Sequence, residues 1–142
     1  MDQIQDLVTK YAPGPGLLPL WNLIAGSTAV IYAFQNLASD SGSKLVYLAG
    51  ARKGLVNTLQ SRNFALWSLT NGIVRFYFAY NVGNPVVYDI TLATYVIATL
   101  HFLSEWLVFR TCALGGGVVS PLIVAGSSIV WMTTQREFYL GA

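Results

Sequence analysis

The sequence predicts an all-α fold, an integral membrane four-helix bundle built as a single domain over residues 1–142. Three observations predict it. The chain is 54% hydrophobic and only 10% charged, where an ordinary soluble domain carries roughly 25% charged residues, and its mean hydropathy is +0.53. Apolar runs with few charges recur four times, each close to the roughly 20 residues that a helix needs to cross a bilayer core. Clusters of Pro, Gly, Asn and Ser separate those runs and mark where the chain must turn. A chain this short with so little charge cannot cover a water-facing surface, so lipid is the solvent that the composition fits.

The elements follow in order. Residues 1–16 form a polar head that ends in the breaker run Ala12-Pro13-Gly14-Pro15-Gly16. Asp2 and Asp6 stand where a secretory signal would be basic, so MDQIQDLVTK does not read as one. The first span, 17–38, lies in a stretch with no charge between Tyr11 and Ser39. Within it Ala25, Ala29 and Ala33 recur every fourth residue with Gly26 beside them, a small-residue stripe that lets helices approach closely. A contact within the chain is the favoured reading of that stripe, and a homodimer seam is the other. Trp21 sits where an interfacial aromatic would lie.

Residues 39–63 form the one long polar connection, made basic by Lys44, Arg52, Lys53 and Arg62. It reads either as a helix lying on anionic headgroups or as a solvated loop that sets topology. The aromatic-rich second span covers 64–80, and Asn81–Pro85 is a tight turn. The third span, 86–109, is long enough to tilt. A glycine-rich turn over 111–117 leads to the fourth span, 118–134, which closes near Trp131. Four spans put both termini on one side. The two connections at 39–63 and 110–117 hold five basic residues, against Lys10 and Arg136 on the other side. The positive-inside rule therefore makes the connections cytoplasmic and the termini lumenal.

Composition and motifs also exclude functions. A net charge of +2 gives no footing for nucleic acid, and Cys112 alone cannot form an internal disulfide. No dinucleotide fingerprint, P-loop, nucleophile elbow or HExxH motif is present, and the glycine groups at 13–16 and 115–117 read as turns. Four ionisable side chains stand inside the apolar hairpin of 75–110, namely Arg75, Asp89, His101 and Glu105, and each needs a partner or water. Arg75 and Asp89 fall at similar depth, about 6–8 Å below the turn at 1.5 Å per residue, so an ion pair across the hairpin is expected. The alternative is that each snorkels separately. His101 and Glu105 are four apart and share a helical face near Arg110. A metal centre needs three or four ligands, and one histidine and one cysteine on separate elements do not supply them. Glu105 is expected to accept from His101, Arg62 or Arg110 and to fix packing rather than catalyse. The five residues Arg75, Asp89, His101, Glu105 and Arg110 thus form a candidate intramembrane polar lock, or a contact for a partner or sterol.

The run RFYFAYNVGNPVVYDITLATYVIATLHFLSEWLVFRT, followed by SPLIVAGSSIVWMTTQREFYLG, resembles the ergosterol biosynthetic protein 28 family, and LQSRNFALW is similar to its approach to the second span. The resemblance covers roughly residues 59–141, and the first span shares only its hydropathy. Ala65-Leu66 departs from a small Gly-Thr pair expected there. The resemblance implies a four-helix protein of the endoplasmic-reticulum membrane with no catalytic activity or cofactor of its own. It implies a scaffold for the enzymes of sterol C4 demethylation. These are the sterol C4-methyl oxidase, the 3β-hydroxysteroid dehydrogenase/C4-decarboxylase and the 3-ketosteroid reductase, with the sterol C24-methyltransferase also associated. Arg75, His101, Glu105, Arg110, Arg136 and Glu137 match the family pattern as residues, without an assigned role. Two other readings stand beside the scaffold. One is a sterol- or lipid-binding membrane protein, the other a small membrane enzyme using His101 and Glu105.

Overall fold

The computed structural model describes residues 13–141, and every regular element among them is helical. The elements are α1 (Leu18–Ala38), α2 (Ser41–Val46), α3 (Leu48–Arg52), α4 (Thr58–Tyr80), α5 (Pro85–Leu107), α6 (Gly116–Thr134) and α7 (Arg136–Leu140). Asp2, Asp6 and Lys10, which enter the reading of the head and of the topology, lie outside the described residues.

Local chemistry sets the helix starts. The Asn57 side chain accepts from the Gln60 N–H at 2.9 Å, which starts α4 at Thr58 rather than at Phe64. A capping asparagine therefore draws Leu59 and Arg62 out of the expected connection and into the helix. Asn84 caps α5 by accepting from the N–H groups of Val86 and Val87 at 3.0 and 3.3 Å. Pro85 follows at the first helical position, where its missing N–H costs nothing. The polar connection is neither a single helix nor a loop, because it folds into α2 and α3, broken at Tyr47.

Helices α1 and α4 pack most extensively, α5 lies on α6, and α4 and α5 meet along a smaller seam. Glycine makes the first of these contacts possible. A Cβ on Gly72 would stand 2.6 Å from Val30 Cγ2 and 3.1 Å from the Gly26 carbonyl, so the two backbones touch at Gly26 and Gly72. Ala25 and Ala33 of the small-residue stripe are buried inside the chain, and Ala29 is half-buried.

The interior is unusually polar and the exterior unusually apolar. Asn22, Asn36, Ser43, Ser61, Thr91 and Ser128 are all at most 1% exposed, whereas Ile24, Phe34, Leu66, Ile97, Leu100 and Ile123 are each about half exposed or more. Helices α5 and α6 are long and apolar enough to cross a membrane. Helices α1 and α4 are long enough, at 21 and 23 residues, and bury Asn22, Asn36, Ser61, Ser68 and Asn71 inside the bundle. Two apolar clusters close the bundle. One gathers Phe78, Tyr88, Tyr95 and Met132 near the 81–84 turn. The other gathers Tyr47, Phe102, Cys112 and Val118 under the connections at the opposite end.

Candidate functional site

The ionisable residues of the hairpin separate into three places. Near the 81–84 turn, Asp89 pairs with Arg136, both partly exposed, and the Arg136 guanidinium also lies 5.4 Å from the centre of the Tyr88 ring. The pairing of Asp89 with Arg75 expected from depth does not form. Depth is similar, but the faces differ. The buried face of α5 is made by Tyr88, Thr91, Tyr95, Ala98 and Phe102, and Asp89 lies about 100° around the helix from Tyr88. Arg75 shares the buried face of α4 with Asn71, Gly72 and Phe78. One charge therefore points into the bundle and the other outward.

Arg75 is 9% exposed. Its Nη1 donates to the Ala25 carbonyl at 3.3 Å, and its guanidinium carbon lies 4.5 Å from the centre of the Tyr95 ring. A cation over an aromatic face is attracted by the ring quadrupole, which offsets part of the cost of burial. The Tyr95 hydroxyl in turn donates to Asn22 Oδ1 at 2.9 Å, and Asn22 Nδ2 donates to the Leu18 carbonyl at 3.0 Å. Arg75 Nε has no hydrogen-bond partner, and among the described residues the guanidinium has no carboxylate within ion-pair distance.

At the far end of α5, His101 and Glu105 find different partners. The Tyr47 hydroxyl and His101 Nε2 are 2.7 Å apart, the tyrosine arriving from the break between α2 and α3. Burial holds that phenol protonated far above the ordinary tyrosine range, so it is available as a donor. The Glu105 carboxylate accepts from the Thr111 hydroxyl, and its backbone carbonyl accepts from the N–H groups of Thr111 and Cys112 at 2.9 and 3.2 Å. The expected donors to Glu105 were His101, Arg62 and Arg110. Arg62 and Arg110 are instead exposed. The reason is the sharp reversal after Leu107, where Arg110 takes φ +54° and folds Thr111 back over the last turn of α5. The Thr111 carbonyl then accepts from the Gly50 N–H at 2.8 Å, tying α3 to the same point. Cys112 is buried beside it, and burial and then the Glu105 carboxylate push its thiol up to about 11.

Sequence reasoning missed a third polar group. Ser43 Oγ donates to Asn36 Oδ1 at 2.6 Å, lies 2.9 Å from Ser61 Oγ, and Ser61 Oγ reaches the same Asn36 oxygen at 3.2 Å. This buried knot joins α1, α2 and α4. Its available sign was Asn36 inside an apolar run, less than one turn before the serine-rich start of the connection at Ser39. No three His, Cys, Asp or Glu side chains come together as metal ligands among the described residues.

These features define a small all-helical protein with an apolar exterior, buried polar ties and two helices fit to cross a membrane. The family described as Erg28 like protein matches residues 18–130, and the chain belongs to that family. The match takes in α1, beyond the reach of the motifs alone. The chain is similar to the ergosterol biosynthetic protein 28 of Candida albicans, 42% identical over 133 residues that cover 94% of both chains. It is 36% identical over 147 residues to the protein of that name from Saccharomyces cerevisiae, covering 99% of this chain and 98% of the other. The human ergosterol biosynthetic protein 28 homolog is 43% identical over 87 residues, covering 61% of this chain and 62% of its own. No solved structure matches the chain.

Proposed function

We propose that this chain is a non-catalytic scaffold of ergosterol biosynthesis, a four-span bundle of the endoplasmic-reticulum membrane that tethers the sterol C4-demethylation enzymes. The pathway comes from the names of its relatives. The partners and the membrane compartment come from the family resemblance. The observation that carries a non-catalytic reading is how the candidate reactive groups are used. His101 is held by Tyr47 and Glu105 by Thr111, each in a tie between α5 and a connection, which supports a packing role for both side chains. The four-span reading is supported by exposed Ile24, Ile31, Leu66, Ile73, Ile97 and Ile123 on all four long helices, a surface that water would not tolerate.

Arg52, Lys53, Arg62 and Arg110 are exposed at the connection end. On the cytoplasmic side, where the positive-inside rule places them, they would face anionic headgroups and the soluble domains of partner enzymes. Tethering acts by raising the effective concentration of one enzyme near the next. Purification of the full chain in mild detergent should recover the sterol C4-methyl oxidase, the dehydrogenase/decarboxylase and the 3-ketosteroid reductase. His101→Ala should leave their isolated turnover intact. Recovery of the chain alone would overturn the scaffold, and loss of cellular activity in His101→Ala with all partners retained would favour an enzyme. Glycosylation scanning that finds cytoplasmic termini would reverse the orientation.

A further inference from the structure

A cavity of about 610 Å³ lies between α1, α4, α5 and α6. Its volume falls in the range of about 300–1,000 Å³ that holds one drug-sized molecule. It runs from Leu45 and Gly116, at the two connections, down to Arg75, Ala98 and Ala125 in the middle of the bundle. Its walls are mainly apolar, among them Phe64, Trp67, Phe102 and Val124, and small residues such as Ala25 and Ala29 keep it open. Among the described residues, Arg75 is the one formally charged side chain that lines it.

Arg75 is nine-tenths buried, its Nε has no partner, and among the described residues the groups that do contact it, a carbonyl and an aromatic face, leave its charge without a counter-ion. A buried guanidinium is normally paired, and its planar fork of donors matches a carboxylate better than it matches a hydroxyl. The apolar walls suit one hydrocarbon body, and one buried cation suits one anionic head. A two-chain phospholipid would present both more hydrocarbon and a bulkier head than one such space takes.

We propose that the cavity between α1, α4, α5 and α6 binds a carboxylated lipid with a single apolar body, its carboxylate on Arg75. The site lies inside the bundle, and its test does not depend on the scaffold reading. Two sources share this chemistry, a fatty acid and a sterol acid, and the test distinguishes them. The full chain in neutral detergent is photolabelled with a diazirine fatty acid and with a diazirine sterol acid, each beside its methyl ester. At least one acid should label cavity residues of α1, α4 or α6 about tenfold more than its ester, the loss expected when a charge-assisted hydrogen bond is removed. The preferred acid identifies the body as chain or ring. Arg75→Gln should abolish the preference for acid over ester. Ala29→Phe, which adds a ring to the cavity lining and keeps Arg75 in the chain, should abolish labelling by acid and ester alike while helical circular dichroism is retained. Equal labelling by acid and ester, or labelling unchanged in Ala29→Phe, would overturn the proposal.

Discussion

Gly72→Ala tests the close approach of α1 and α4, because two opposed effects of known size meet at one methyl group. Alanine in a helix interior is favoured over glycine by about 1 kcal/mol, so propensity alone would make the variant more stable. In this structure the new Cβ would meet Val30 Cγ2 at 2.6 Å and the Gly26 carbonyl at 3.1 Å. Valine in a helix has essentially one favoured rotamer, so its methyl cannot swing clear. Overpacking of this kind costs about 1–3 kcal/mol, which leaves a net destabilisation of up to about 2 kcal/mol. Val30→Ala removes the 2.6 Å clash and leaves the milder contact with the carbonyl. In that background Gly72→Ala should be close to neutral, giving a coupling of up to about 2 kcal/mol in the double-mutant cycle. Thermal or denaturant unfolding in detergent, followed by helical circular dichroism, measures all four proteins. Stabilisation by about 1 kcal/mol in the parent, equal to that in the Val30→Ala background, would show that α1 and α4 are not in contact here.

Other outcomes follow from single contacts. Tyr88→Phe removes a buried hydroxyl that donates to the Met132 carbonyl at 2.6 Å, and should cost about 1–3 kcal/mol, while Tyr77→Phe, at an exposed position, should leave the unfolding midpoint unchanged. Cys112 should resist maleimide at pH 8 until the protein is denatured. With its thiol raised from 9.0 to about 11, the reactive thiolate is about a hundredfold scarcer in the folded state, on top of steric burial. Gly117→Ala should loosen α2 from the start of α6, since the added Cβ would press on the Leu45 carbonyl and lie 2.9 Å from Leu45 C and 3.0 Å from Val46 Cα. Faster proteolysis within residues 41–57 reads that out, and an unchanged cleavage pattern would count against the contact.

Legibility in the sequence depended on whether a feature was one-dimensional. The helical class, the turn at Asn84-Pro85 and the apolar character of α5 and α6 follow from composition and local chemistry, which need no partner to be visible. Depth along a helix was equally readable, and it placed Arg75 and Asp89 at one level. Their angular position was not, because it depends on which face of α5 meets α6, and Tyr88 rather than Asp89 won the buried side. Glu105 shows the same gap. Its partner Thr111 is six residues on and comes back only because Arg110 adopts a left-handed backbone, a conformation that the sequence does not advertise for arginine. The knot of Asn36, Ser43 and Ser61 was hidden for another reason. Serine and asparagine beside a basic stretch read as a solvated connection, and only the folding of α2 onto α1 and α4 buries them.

The buried polar groups and the apolar exterior have one physical reading under the proposal that all four long helices span a membrane. In water, packing α1 on α4 would be driven by hiding their isoleucines and leucines, and Asn22, Asn36 and Ser61 would then lie outside. Where the surrounding medium is itself hydrocarbon, apolar side chains gain nothing by association, and the groups that must leave the solvent are the polar ones. Helix contact then depends on small residues that let backbones touch and on hydrogen bonds between side chains, which are the two devices joining α1 to α4 at Gly26–Gly72 and at Asn36–Ser61. The same reasoning sets Arg75 apart. Asn22, Asn36, Ser43 and Ser61 all find protein partners inside the bundle, whereas among the described residues Arg75 keeps a free donor and an unbalanced charge against an open cavity. In a medium that penalises each unsatisfied polar group, a cation left in that state is a feature of the cavity it faces rather than of the packing around it.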